Sequence, residues 1–569
     1  MLFRSVVQTI KILDGTSYVT GDDLVGVVQG WVAGSFAPLI FEGWMMEIVK
    51  GRAVSRTGTG YADTAAVIEA TVHLSGYATG ADATALGGYV KFLRQATRTP
   101  PNPASFVSPV SIARYADLLA DTAVPAQDLN PAAQHAAFTA MDRTVHRRPG
   151  YAFALARSST RISGYEYMSG ENLMPWFQGD GAHYLYLSGQ DQTLAFGVDY
   201  FTTVSPYRLG GVTAPVETRE TVPELYGTQW YDNPALGFTS SSDSQNTYVY
   251  FPLALNEFSG GATLDAYGTA GFVQANDAAY AAKQAGTLPA DFVVYRNADA
   301  VKSWFMLDDE IVVLAAGVGD GAGRAVTTTL DTRIAGPADA VTLTGRLRDG
   351  APWSGAGKAP APAAWLRYAD AGQGIAVGYV FLDHSSPDRQ LPIATLESVT
   401  RSRRVIRASN PDTAVTKQVF SLAVEQPVGA RHTSMAYALV PNATEGQLAS
   451  YAHGPLSVPV NTTSVQAVRH SGLGLLAANV FAPGIHHADR LSVDGPASVI
   501  LRTARDGATT IAVSDPTMGR DTVSVLVRGR TLRVRSADDG VRVTRVVGGT
   551  RIDVTTRQAY GRSFRAELR

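Results

Sequence analysis

Apolar residues early in the chain recur at helical spacing: Leu24, Val27, Val28 and Trp31 fall at i, i+3, i+4 and i+7, and Ile112, Tyr115, Leu118 and Leu119 form a second stripe. Each set lines one face of a 3.6-residue period, so the spacing predicts packed helices over roughly 22–122. Thr97-Arg98-Thr99-Pro100-Pro101-Asn102-Pro103 predicts a loop between helices, because proline lacks the amide donor and restricts its predecessor. After about residue 140 the period drops to two, with short runs such as Thr247–Pro252 and Ile311–Ala315 divided by Gly, Pro, Asn and Asp. These read as strands of a large antiparallel β region. The Ser354–Pro362 stretch, rich in Gly, Ala and Pro, reads as a surface loop. Near the end, Leu532 and Val534, Val541 and Val543, and Ile552 and Val554 alternate with polar neighbours across Asp538-Asp539-Gly540 and Gly548-Gly549 turns.

Helices first and strands afterwards predict an α+β multidomain chain. We read a helical domain over 1–122, a central β domain over 123–400 with its remaining strands over 401–465, and a small C-terminal β domain over 466–569.

Composition narrows the function classes. A chain of 569 residues exceeds one compact core. The formal net charge of −2 provides no global field for a polyanion, so nucleic acid is not expected as a partner and any acidic ligand needs a local cluster of Arg or Lys. The absence of cysteine removes disulfides and thiolate chemistry. No window approaches the ~18 apolar residues of a membrane span, so no membrane partner is expected. The opening Met1–Gln8 lacks the build of a secretory signal.

Two segments could carry chemistry. In Met45–Arg56, a helix continuing through the segment would put Arg52 and Arg56 on one face, where two guanidinium forks clamp carboxylates or sulfates. The competing reading is a separate surface salt bridge for each. Residues 157–187 combine Glu166, Ser169, Glu171, Asn172 and Trp176 with many aromatics and glycines, a mixture suited to sugar rings and hydroxyls, although composition alone favours a sandwich core with tyrosines at its rim. Glu166 and Glu171 would serve as the acid and base of a glycosidase only if their carboxyls stood ~5–9 Å apart. The ten histidines show no metal-ligand spacing, no cofactor is called for, and no compact oxygen-ligand loop for a structural calcium ion stands out.

Ser35-Phe36-Ala37-Pro38-Leu39 followed by Gly51-Arg52-Ala53-Val54-Ser55-Arg56 closely resembles the SFxPL and GRxISR pattern of polysaccharide lyase family 8. Tyr165-Glu166-Tyr167-Met168 with Glu171-Asn172, then Asp180-Gly181 and Tyr184-Leu185-Tyr186, resembles that family's YExxNxEN and DGxxYLY runs. Thr203–Tyr207, Lys302–Phe305 and Val513–Thr517 continue the series. The resemblance implies the C-terminal part of an incomplete α/α toroid, a large antiparallel β super-sandwich and a small C-terminal β-sandwich. It also implies β-elimination on an acidic polysaccharide (hyaluronan or chondroitin, with xanthan as a third candidate) by a secreted, extracellular, monomeric enzyme.

By that resemblance Arg52 and Arg56 bind substrate and hold a catalytic tyrosine, Glu166 orients the network, and Ser169, Asn172 and Trp176 line the substrate. The family's Asn, His and Tyr lie upstream of the SFxPL run, so this chain is expected to begin after them and to be inactive alone. Ser169 stands where the family has asparagine. A non-catalytic glycan-binding β-sandwich protein is the alternative.

Overall fold

The computed structural model describes residues 2–18, 24–231, 233–239, 241–382, 391–430 and 432–569. It divides into two compact units, 1–134 and 135–569. The first holds helices α1 (Leu2–Leu13), α2 (Leu24–Trp31), α3 (Thr64–Leu74), α4 (Gly80–Ala96) and α5 (Pro109–Ala120). Its core gathers Val7, Val28, Ile68, Tyr89, Leu93 and Tyr115. Both predicted stripes are helical, yet Leu24, Val27, Trp31, Ile112 and Leu119 are exposed and only Val28 of the first stripe is buried. No helix among the described residues is long and apolar enough to cross a membrane.

The helical unit runs to 134, beyond the expected 122, because the following segment folds back onto it. Gln127 N–H donates to Gly88 O, Lys91 Nζ to Val124 O, and Asn130 Nδ2 to Ala37 O, at 3.0, 2.7 and 3.0 Å. Gly88 is needed there: a Cβ would stand 2.9 Å from Pro125 O.

The second unit opens with a four-stranded sheet, Gln134–Phe138, Arg143–Arg148, Tyr151–Ala156 and His183–Leu187. Two further sheets form the super-sandwich. The ten-stranded one runs, in spatial order, from Pro352–Trp353 through Val341–Leu347, Ala363–Asp370, Ile375–Phe381, Thr433–Pro441, Ile311–Gly319 and Asp299–Met306 to Tyr267–Val273, which carries two short edge strands. The five-stranded one runs Gly357–Lys358, Ile393–Ser402, Ala414–Gln426, Val326–Ala335, Thr213–Pro215. Strands on both sides of residue 401 share these sheets.

Period-two alternation explains how one sheet feeds two cores. Trp304, Met306, Ile311, Val313 and Ala315 point into the core shared with Phe153, Leu330 and Phe420, while Phe305, Leu307, Val312 and Leu314 pack against Val468, Ala477 and Ile500 of the C-terminal sheet. That is why Ile311–Ala315, expected to alternate, is instead buried on both faces. The C-terminal sheet starts with Leu456–Asn461, ahead of the expected 466, since this strand pairs with Val465–His470.

One expected strand is absent. Thr247–Pro252 alternates in sequence, but Asn246–Tyr250 is a wide helical turn closed by Phe251 N–H to Asn246 O at 2.9 Å. Ser242 Oγ accepts from Gln245 N–H and starts this helical stretch, and Gln245, Val249 and Tyr250 are buried at near-helical spacing.

Candidate functional site

In the helical unit, Met45–Arg56 is not one α-helix. Glu47–Val49 and Gly51–Ser55 are separate 3₁₀ turns, and Gly51 has φ 54°, which a continuous right-handed helix does not accept. Arg56 lies past the second turn with extended backbone (φ −89°, ψ 142°). The expected single helical face carrying Arg52 and Arg56 is therefore corrected: both are half-buried, on a turn and its exit. The segment is anchored by Glu47, 4% exposed, which accepts from Trp44 Nε1 at 3.1 Å and pairs with Lys50 Nζ at 2.8 Å. The ammonium of Lys50 also lies 4.2 Å from the centre of the Trp44 ring.

In the β unit, the loop after Tyr151–Ala156 is tied down by Gly164 N–H to Pro252 O and Tyr167 N–H to Tyr250 O, each 3.0 Å. It then reverses at Ser169 and Gly170, both left-handed (φ 55° and 71°), with Glu171 N–H bonded to Met168 O. Asn172 is left-handed as well, at φ 65°. Ser169 is exposed at the tip and Glu166 is half-buried.

Two residues expected at the substrate face inward. Asn172, 3% exposed, spends its amide on the loop: Nδ2 donates to Glu166 O (2.8 Å) and Gln178 Oε1 (2.9 Å), and Oδ1 accepts from Gln178 Nε2 (2.8 Å). Trp176, 6% exposed, packs edge-on against Tyr165 and Tyr295, so it offers no open face for a sugar ring. Asn172 thus positions the loop and Trp176 supports it. Behind them Arg219 sits over Phe177 and Tyr295 (4.4 and 4.8 Å to the ring centres) and bonds Glu217 at 2.8 Å. Burial pushes the carboxyl of nearby Asp180 up to about 7 and raises that of Asp277.

Glu171 is buried and paired with Arg407 at 2.8 Å. This commitment leaves it ill placed to share acid–base work with Glu166. Arg407 belongs to Arg401-Ser402-Arg403-Arg404-Val405-Ile406-Arg407, which lies against the loop through Leu173 N–H to Ile406 O at 3.0 Å. Arg403 pairs with Asp199 at 2.8 Å and Arg404 with Asp412 at 3.4 Å, while Arg401 is exposed. Sequence reasoning missed this cationic flank. Four arginines within seven residues were the available signal, but nothing local tied them to a loop more than two hundred residues earlier.

A helical unit followed by a super-sandwich and a smaller β-sandwich, with a left-handed turn flanked by arginines, defines a modular α+β protein whose polar site sits on the β framework. The chain belongs to polysaccharide lyase family 8. It matches the family's super-sandwich domain over 133–452, its C-terminal beta-sandwich domain over 457–524 and its N-terminal alpha-helical domain over 1–91.

It is 29% identical to the xanthan lyase of Bacillus sp. (strain GL1) over all of this chain and 56% of that protein. It is also 29% identical to the hyaluronate lyase of Thermasporomyces composti over 99% of this chain and 66% of that protein. Among solved structures it superposes on Paenibacillus xanthan lyase with TM-score 0.78 at 25% identity, covering 100% of this chain and 50% of that one. It matches the fold of the Streptomyces coelicolor A3 chondroitin AC lyase, solved in complex with chondroitin sulphate, with TM-score 0.80 at 23% identity, covering 100% of this chain and 68% of that one. The chain thus spans about half to two thirds of the length of these relatives.

Proposed function

We infer that the chain serves a polysaccharide lyase that cleaves an acidic, uronate-bearing polysaccharide by β-elimination, with hyaluronan or chondroitin the favoured substrates and xanthan next. The observation that carries this reading is the match, in order, to all three domains of one lyase family. β-Elimination removes the C5 proton of the uronate and expels the 4-linked oxygen, so it needs charge neutralisation at the carboxylate, a base and an acid. Arg52 and Arg56 contribute positive charge for substrate, and Glu166 is held on a loop whose conformation Asn172 fixes through its main-chain oxygen. Ser169 and Arg401, both exposed, are the groups of this loop region offered to sugar.

We expect the 569-residue chain by itself to bind acidic polymer and not to turn it over. The protein is proposed to act outside the cell, as a monomer. A glycan-binding protein without catalysis is the second reading, favoured by the commitment of Glu171 to Arg407.

The test combines affinity electrophoresis in gels containing hyaluronan, chondroitin, xanthan or neutral dextran with ultraviolet detection of the 4,5-unsaturated product. Retardation by the acidic polymers alone, without product, is the expected result. Unsaturated product would keep the lyase assignment and refute the expected inactivity. Saturated reducing ends, or no interaction with any acidic polymer, would overturn the assignment.

A further inference from the structure

We propose a second binding site for acidic polysaccharide on the β unit, in an open groove at the edge of the super-sandwich; its ligand class rests on the reading just given. The groove encloses about 740 Å³, within the ~300–1,000 Å³ usual for ligand sites. It is built from Val341–Leu347, Pro352–Trp353 and Ala363–Asp370 of one sheet, Gly357–Lys358 of the other, and the start of the helix Glu445–Ser450. These are segments different from the 164–178 loop and its arginine flank.

The floor is apolar and closely fitted. Trp353 and Trp365, each 5% exposed, line the groove. A Cβ at Gly345 would lie 3.0 Å from Trp365 O and 3.1 Å from Trp353 Cε3, so the glycine lets the Trp353 indole and the Trp365 main chain settle against the strand. The rim, in contrast, is exposed and cationic. Arg346 makes a bond to Gly350 O at 3.3 Å, and neither Arg346 nor Lys358 has an ion-pair partner among the described residues. The groove's carboxylate, Glu445, is already engaged: it accepts from Thr344 Oγ1 at 2.8 Å and stands in the first turn of its helix, where negative charge is favoured.

Two cations above an apolar floor match the chemistry of a repeating acidic sugar. Ring C–H faces cover the floor while a carboxylate or sulfate on the next residue meets Arg346 or Lys358. A polymer held here as well as at the loop gains avidity, since the second contact becomes intramolecular.

The experiment is hydrogen exchange on the full 569-residue chain with and without hyaluronan or chondroitin oligosaccharides, with dextran oligosaccharides as the neutral control. Acidic oligosaccharides should slow exchange in 341–347 and 352–358. Arg346→Ala with Lys358→Ala should abolish that protection, leave protection of 164–173 intact, and weaken retardation in chondroitin gels roughly fivefold to tenfold, as expected for two solvent-exposed charge contacts.

Protection of 164–173 without protection of the groove would overturn the second site and leave the proposed function standing. Protection of the groove alone would support the second site and count against the loop. Equal protection by dextran, or protection nowhere, would overturn the second site; in the latter case the proposed ligand class falls as well.

Discussion

Substituting Glu310 by glutamine tests how the super-sandwich is bolted to the C-terminal sandwich. Glu310 is 2% exposed at the start of Ile311–Gly319. Its Oε2 accepts from Tyr451 O–H at 2.6 Å and its Oε1 faces His470 Nε2 at 3.3 Å, on a strand of the C-terminal sheet. Burial, aided by the charges of Asp309 and Asp308, pushes the carboxyl up to about 7, while burial lowers the imidazole of His470. His470 Nδ1 accepts from Leu473 N–H, which leaves the proton of the neutral ring on Nε2. Both shifts favour a neutral pair, with the Tyr451 hydroxyl supplying the carboxyl's hydrogen bond.

Between the ordinary value of 4.5 and about 7 the folded protein keeps a proton that the unfolded chain has released, so this group's contribution to stability falls as pH rises through that window. At ~1.4 kcal/mol per pH unit the difference amounts to about 3 kcal/mol above pH 7. Glutamine does not ionise. Glu310→Gln should therefore match the parent protein near pH 5 and exceed it by about 3 kcal/mol at pH 8. Urea unfolding of both proteins at pH 5, 6, 7 and 8 measures the gap, and parallel stability curves across that range would refute the buried, protonated carboxyl.

Arg407→Ala should cost about 2 kcal/mol by leaving the buried Glu171 carboxylate without its guanidinium, discounted because the Arg407 side chain is 28% exposed; adding Glu171→Gln should recover most of the loss in thermal unfolding, and an unperturbed single variant would show that the pair holds nothing. Ser169→Gly, at φ 55°, should raise stability by about 0.5–1 kcal/mol by relieving a left-handed serine; a lowered urea midpoint would mean that the serine hydroxyl outweighs the strain. Val27→Gln with Trp31→Gln, at positions 54% and 40% exposed, should reduce light scattering of concentrated protein without lowering its melting temperature; a large fall in melting temperature would place these residues in a core.

Legible along the chain were the elements whose period is locally written: the helices α2 and α5, the Val541–Val546 and Gly549–Thr555 hairpin of the C-terminal sandwich, the strand at Ile311–Ala315, and the ordered motifs that mark the family, whereas of the expected Leu532 and Val534 pair Leu532 lies outside any strand and Val534 is exposed. Local capping and a left-handed glycine overrode pattern at Asn246–Tyr250 and at Gly51, where side-chain spacing alone misreads the backbone. Which residues of the candidate loop meet solvent was settled by packing between distant segments. Asn172 and Trp176 carry sugar-binding chemistry in their side chains, yet the packing of Gln178, Tyr165 and Tyr295 around them turns that chemistry inward. Such packing likewise decided that Arg407 meets Glu171. Periodicity reports which face of an element is apolar, but pairing two loops far apart in sequence depends on the sheets that carry them, and no single segment records that distance.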